Sequence, residues 1–144
     1  MPAIIKSIVL LHRRNTKHYK KYKENARALV HARLAYFNAF YAFPLRRVAI
    51  KNSKSRWGSC SKLGNLNFNY KLLFLPIQVI DYVVVHELCH LKEFNHSPKF
   101  WALVAQEIPD YLARRKLLRR LERQVLEIKK PARRARRTWG TGSG

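Results

Sequence analysis

The sequence predicts an α+β fold in which a long N-terminal helix precedes a small sheet of about three strands and several C-terminal helices. Three observations carry this prediction. Apolar residues recur at helical steps before Pro44, extended runs with turn residues fill positions 46–75, and helical spacing returns after Pro76. A chain of 144 residues suits one domain and can bury roughly 70% of its unfolded surface. The fold therefore needs no disulfide framework.

The first predicted element is an amphipathic helix from Tyr19 to Phe43. Its apolar residues follow three- and four-residue steps and mark one helix face, which stops before Pro44. These residues are Ala26, Leu29, Val30, Leu34, Phe37, Phe40 and Tyr41.

The segment after Pro44 predicts strands. Residues 46–52 alternate and contain β-branched side chains, and a hairpin is expected within residues 54–75, with its turn around Ser61, Gly64 and Asn65. Its second strand should carry apolar residues on one buried face and polar residues on the other. The expected apolar face is Leu66, Phe68, Tyr70 and Leu72, and the expected polar face is Asn65, Asn67, Asn69 and Lys71.

Helical signals resume at Pro76, which suits the first turn of a helix that should run to about Asn95. A further helix should begin at Ser97, a good N-cap, with Pro98 in its first position. The pair Pro109–Asp110 interrupts this pattern, and a basic amphipathic helix then extends toward Pro131.

The net charge of +22 is concentrated in the flanks of the chain: residues 1–27 carry +7 and residues 110–144 carry +9, whereas residues 28–109 carry +6. This distribution suggests a basic N-terminal segment (1–18), a folded domain (19–128) and a basic, disordered tail (129–144). The flanks could serve solubility alone or provide nucleic-acid contact, and the sequence does not separate these possibilities.

Two widely separated cysteines, Cys60 and Cys89, form no metal-binding or disulfide pattern. The sequence also shows neither a signal peptide nor a stretch of apolar residues long enough for a membrane span. We therefore expect a soluble, cytoplasmic protein without membrane contact. The oligomeric state is unknown from the sequence.

The stretch HELCH holds the candidate site. His86 and His90 lie four positions apart, so on a helix both imidazoles project from one face and can bind a single ion. Glu87 lies beside them, where a carboxylate can take a proton from a metal-activated water. His96, just beyond the expected helix end, is the favoured third ligand.

The site leaves alternatives open. Glu107, with Asp110 beyond it, is the other candidate for the third ligand. A structural metal or an ordinary packed helix would also place histidines here, although three histidines leave one tetrahedral position open, as catalytic zinc sites do. Asp81, Glu93 and Asn95 are candidates to orient a ligand's second nitrogen. Cys89 should face the packed side.

Four stretches together closely resemble the YgjP-like metallopeptidases, which are zincin relatives of the SprT-type proteases. They are RWGSC (56–60), GNLNFNY (64–70), DYVVVHELCHL (81–91) and NHSPKFW (95–101). The resemblance implies a minimal zincin-like fold, Zn²⁺ bound by His86, His90 and His96, and Glu87 as the catalytic base.

The resemblance leads to the prediction of a zinc metallopeptidase that hydrolyses peptide bonds in a peptide or protein substrate. An edge strand containing Arg56, Trp57, Gly58 and Ser59 is expected to bind that substrate. Two alternatives remain at this point: a metal-dependent hydrolase of a non-peptide substrate such as a nucleotide phosphoanhydride, and a DNA-associated basic module with a structural metal.

Overall fold

The computed structural model of the protein describes residues 15–128, with four α-helices, three strands and one 3₁₀ helix among them. Most of the predicted N-terminal segment 1–18 and the whole predicted tail 129–144 lie outside the described residues. The helices are α1 (Thr16–Tyr41), α2 (Ile77–Cys89), α3 (Pro98–Glu107) and α4 (Tyr111–Ile128). The strands are β1 (Arg47–Lys51), β2 (Gly58–Cys60) and β3 (Asn65–Asn69), followed by the 3₁₀ helix Tyr70–Phe74.

Helix α1 confirms the long helix that the sequence predicts. Its first turn is capped by Asn15, whose side chain accepts a hydrogen bond from the His18 amide. Its last turn closes at Ala42, which takes the left-handed conformation (φ 55°) and donates its amide to the Asn38 carbonyl. The buried face consists of Ala26, Val30, Leu34 and Phe37, and it packs against α2, β1 and the 3₁₀ helix.

The sheet is mixed and has the strand order β1-β3-β2. Strand β3 pairs with β1 in parallel and with β2 in antiparallel orientation, which confirms the predicted hairpin. Gly64 in the hairpin turn has a φ of 88°, a value that favours glycine. Because β3 is central, β2 has one edge that pairs with no other described strand.

The second strand of the hairpin is shorter than the alternation predicted. It ends at Asn69, and the chain then forms a 3₁₀ helix, so the expected polar face through Asn69 and Lys71 is wrong. Both residues are buried. The Asn69 side chain accepts from the Lys71 amide and donates to the carbonyls of Ser53 and Arg56, and Lys71 Nζ donates to the Ser53 carbonyl. These hydrogen bonds take the place of the water that Asn69 and Lys71 would contact on an exposed strand face.

Helix α2 also ends earlier than predicted, at Cys89 instead of near Asn95. The chain reverses at once, because the Leu91 amide bonds to the Leu88 carbonyl and the Lys92 and Glu93 amides bond to that of Cys89. Helix α2 is buried on almost every side, including Val79, Ile80, Val83 and Val84. It therefore forms the centre of the core.

Helices α3 and α4 complete the packing around α2. The Ser97 side chain accepts from the Phe100 amide and Pro98 occupies the first helical position, as predicted. Phe100 and Val104 of α3 and Leu118 and Leu121 of α4 are buried. None of the helices within residues 15–128 has both the length and the apolar character that a membrane span requires.

Candidate metal centre and adjoining pocket

The imidazoles of His86, His90 and His96 converge on one point. Their Nε2 atoms lie 3.2 Å apart for His86 and His90, 3.2 Å for His90 and His96, and 3.1 Å for His86 and His96. Ligand nitrogens bound tetrahedrally at roughly 2.0–2.1 Å from one zinc ion would lie about 3.3 Å apart. The three side chains are therefore placed to bind a metal ion.

The convergence follows from the local backbone. His86 lies in the last turn of α2, and His90 is its C-cap residue with helical dihedral angles (φ −65°, ψ −17°), so the one-turn spacing of the two side chains survives the helix end. The reversal after His90 then brings back His96, which precedes the N-cap of α3.

Hydrogen bonds fix two of the three rings. His90 Nδ1 lies 3.0 Å from the Glu93 carbonyl oxygen, which can only accept, so Nδ1 carries the proton and Nε2 keeps its lone pair. His86 Nδ1 lies 3.4 Å from the Tyr82 hydroxyl oxygen. Both Nε2 atoms are thus directed toward the shared point.

The acidic residues predicted to orient the histidines do not do so with their carboxylates. Asp81 instead accepts two hydrogen bonds from Arg33, at 2.7 and 2.9 Å, and thereby joins α1 to α2. Glu93 orients His90 through its main-chain carbonyl. The Asn95 side chain makes no hydrogen bond to a histidine within residues 15–128.

Burial favours the neutral form of two of the three histidines, His86 and His90. Burial, together with the charges of the neighbouring His90, His96 and Arg115, lowers the pKa of His86 to about 3. Burial also lowers the pKa of His90, against the effect of the Glu93 carbonyl. Neutral imidazole is the form that binds metal ions.

Glu87 lies on α2 beneath strand β2. A Cβ atom added to Gly58 would lie 2.8 Å from Glu87 Cγ and 3.1 Å from Oε2, so only glycine leaves room for this side chain. Glu87 is 7% exposed. Burial raises its pKa to about 7, and the nearby Arg56 opposes the shift.

Aromatic side chains of α3 pack against the histidine rings on one side of the site. The Phe100 ring stacks on His90, with centroids 4.3 Å apart and planes at 20°. The Trp101 ring lies 5.8 Å from that of His96 at 24° and 4.9 Å from that of Tyr111 at 14°. These contacts restrict the orientation of the His90 and His96 rings.

A pocket of about 260 Å³ adjoins His86 and Glu87. Its lining residues are Arg56, Trp57, Gly58, Tyr82, Val83, His86, Glu87 and Leu118. Three of the four predicted substrate-binding residues, Arg56, Trp57 and Gly58, therefore contribute to it. Ser59 does not, because its side chain lies on the other face of β2, where its hydroxyl accepts from Asn67 Nδ2.

The remaining candidates lie elsewhere. Glu107 ends α3, ten residues and roughly 15 Å of helix from the end that carries His96, and it belongs to no metal-binding cluster within residues 15–128. Asp110 pairs with Arg114 at 3.0 Å. Cys89 is fully buried, as predicted.

Comparison with known proteins agrees with this geometry. A sequence model described as the YgjP-like metallopeptidase domain matches residues 5–121, which is most of the chain. The chain belongs to the YgjP-like metallopeptidase family. It is therefore a metal-dependent peptidase, as predicted.

One solved structure shows the same fold as this YgjP-like domain. The crystal structure of the metallopeptidase zymogen of Pyrococcus abyssi abylysin superposes with a TM-score of 0.57 and 24% sequence identity. The match covers 65% of this chain and 95% of the abylysin chain. No curated protein matches the chain in sequence.

Sequence reasoning missed three residues of this YgjP-like site. Tyr82, four positions before His86 on the same helix face, could have been identified from spacing alone. Trp101 stacks on His96, and Glu122 accepts a hydrogen bond from the Trp57 indole at 2.6 Å. The last contact joins residues 65 positions apart, and no local pattern predicts it.

Proposed function

We propose that this chain is a zinc-dependent peptidase in which His86, His90 and His96 bind the ion and Glu87 is the general base. The observation that carries the proposal is the convergence of three Nε2 atoms within 3.2 Å of one another, next to a buried carboxylate. Three neutral nitrogen ligands suit zinc and leave a fourth tetrahedral position for water or substrate.

The bound ion would polarise the substrate carbonyl and acidify the attacking water. The proton transfers are carried out by a side chain of the protein. Glu87 accepts the proton of that water and delivers it to the leaving amine. Burial raises the pKa of this carboxyl to about 7 in the metal-free protein, and the charge of a bound ion would favour the ionised form that accepts the proton. Gly58 leaves the carboxylate room, and Arg56 favours its ionised form.

Strand β2 offers main-chain groups for aligning the substrate. The Trp57 carbonyl accepts from the Asn69 amide and the Ser61 amide donates to the Asn65 carbonyl, so residues 57, 59 and 61 point their polar groups toward β3. In an antiparallel pair the alternate residues, Gly58 and Cys60, point theirs the other way. An extended peptide could add to this edge directly above Glu87.

The decisive experiment compares wild type with Glu87→Gln in peptide hydrolysis, with zinc content measured on both proteins. We expect Glu87→Gln to retain one zinc per chain and to lose about 10²- to 10⁴-fold in kcat, because it keeps shape but cannot accept the proton. Glu24→Gln, at an exposed acid on α1, is the matched control.

The same proteins also test the alternatives. Release of phosphate or pyrophosphate from nucleotides by wild type but not by Glu87→Gln, without peptide cleavage, would indicate a phosphoanhydride hydrolase instead. Peptide cleavage that is unchanged in Glu87→Gln would contradict the proposed mechanism.

A further inference from the structure

Helix α4 carries a charged stripe next to Leu118, the residue through which this helix lines the pocket. Arg115, Arg119 and Glu122 follow one another at steps of four and three residues, so their side chains lie along one face of the helix. Leu118, on the adjoining row, is buried and lines the pocket beside His86 and Glu87. The stripe therefore runs along the border of the pocket.

Two contacts fix the ends of the stripe. The Arg115 guanidinium carbon lies 5.2 Å from the centroid of the Trp101 ring, which itself stacks on His96. At the other end, Glu122 accepts the hydrogen bond from Trp57, which lines the pocket. Arg119 lies between these two points, about one turn from each. The stripe thus connects the metal-binding histidines with the Trp57 end of the pocket.

The arginines near the pocket form no ion pair within residues 15–124. Arg56 lines the pocket from the side of β2. Within residues 15–124, ion pairs form at Arg27, Arg33 and Arg114, and Arg56, Arg115 and Arg119 do not take part in them. Glu122, the acid of the stripe, accepts from the Trp57 indole, so three arginines in this region outnumber the two acids Glu87 and Glu122. The field of these arginines reaches the site, since Arg115 contributes to the lowered pKa of His86 and Arg119 acts on that of Tyr82.

We propose that Arg115 and Arg119 on α4, together with Arg56 in the pocket lining, select peptide substrates with an anionic side chain beside the scissile bond. The inference rests on the proposed peptidase function and defines its substrate class. Guanidinium groups bind carboxylates and phosphate esters with paired, charge-assisted hydrogen bonds, so glutamate and phosphoserine represent the two anionic groups that fit. The indole of Trp101 beneath Arg115 restricts the orientation of that guanidinium.

The first test measures binding alone. Zinc-loaded Glu87→Gln protein, which should not turn substrate over, is titrated with fluorescent peptides that carry glutamate, phosphoserine or glutamine at one position near the centre. We expect the glutamate and phosphoserine peptides to bind about tenfold more tightly than the glutamine peptide at low salt. Arg115→Gln and Arg119→Gln, each added to this background, should remove most of the difference.

Arg120→Gln is the matched control. It removes the same charge from the same helix, but its side chain is exposed about 100° round the helix from that of Arg119 and away from the stripe. The tenfold preference should survive in this variant. Arg115→Lys should restore part of it, because the charge returns without the paired hydrogen bonds.

The second test repeats the comparison as cleavage by otherwise wild-type enzyme, with each residue placed at three positions on either side of the scissile bond. The ratio of kcat/KM for glutamate over glutamine should fall about tenfold in Arg115→Gln and Arg119→Gln at the position of preference. Equal binding of glutamate, phosphoserine and glutamine peptides, or a preference retained in both arginine variants, would overturn the proposal. Selective binding without any cleavage would instead leave the anion selection intact and refute the peptidase.

Discussion

The Glu87 side chain occupies the space that a side chain at position 58 would require, and Gly58 leaves that space free. The Cβ of an alanine would lie 2.8 Å from Glu87 Cγ, closer than real Cβ contacts come, and Glu87 is buried. The carboxylate must therefore move if residue 58 gains a side chain. The motif HELCH identifies Glu87, but only the fold shows that a glycine 29 positions earlier makes room for it.

We predict that Gly58→Ala lowers kcat/KM by about tenfold or more, since a displacement near 1 Å of Glu87, the proposed general base, can reduce catalysis by roughly 10². Zinc content should remain at the wild-type level, because the histidines lie outside this contact. Ser59→Ala, whose side chain faces Asn67 on the opposite side of β2, should keep wild-type activity. Wild-type kcat/KM in Gly58→Ala would show that Glu87 tolerates displacement.

The raised pKa of Glu87 predicts a pH-dependent difference in stability. The carboxyl binds its proton more tightly in the folded, metal-free protein, with a pKa of about 7, than when unfolded. Its contribution to stability is complete below pH 4.5 and is lost as the pH rises through about 7. Metal-free Glu87→Gln, which lacks this titration, should gain stability relative to wild type across that range, by up to about 3 kcal/mol.

Urea unfolding of both proteins in chelator, at pH 5 and at pH 8, measures this difference. A stability gap between variant and wild type that stays constant with pH would contradict the raised pKa. The Arg56→Gln background supplies a check, because loss of that guanidinium should raise the pKa of Glu87 further.

At the scale of elements, α2 carries most of the site and is tied to α1 by one ion pair. Arg33 and Asp81 meet through two hydrogen bonds, with 27% and 12% of their side chains exposed. The sequence patterns predicted both helices, but the predicted ends of β3 and α2 were wrong. The alternation of apolar and polar residues continues through Lys71, but the strand ends at Asn69, which caps a 3₁₀ helix. The residues after His90 were predicted to be helical, but the amides of residues 91–93 form a tight turn there. Both errors arise where bonds to other parts of the chain or a tight reversal override a local pattern.

We predict that Arg33→Ala lowers the free energy of unfolding by about 2–3 kcal/mol, since it leaves the largely buried Asp81 carboxylate without its partner. Arg27→Ala, which removes an exposed pair with Glu24, should change it by less than about 0.5 kcal/mol. Chemical denaturation measures both values. Adding Asp81→Asn to Arg33→Ala should recover part of the loss, and an equal effect of the two single variants would contradict the assigned role of the pair.

For the whole molecule, sequence patterns predicted the fold class, most of the elements and the main residues of the candidate site. The α+β class, the long first helix and the hairpin follow from periodicity and turn residues. The HELCH spacing predicted that His86 and His90 converge, and the short loop after the expected helix end favoured His96 over Glu107 as the third residue. The sequence could not predict contacts between distant segments, such as Trp57 with Glu122 or Arg115 with Trp101, because these depend on how α4 packs across the domain. Nucleic-acid contact through the basic flanks stays a prediction.

The most direct measurement is zinc K-edge X-ray absorption of the zinc-loaded protein, with wild type and His96→Ala compared. The account predicts one zinc per chain with three imidazole nitrogens at about 2.0–2.1 Å in wild type, and either one imidazole fewer or a large loss of zinc in His96→Ala. Sulfur ligands near 2.3 Å, or a wild-type spectrum that His96→Ala leaves unchanged, would contradict it.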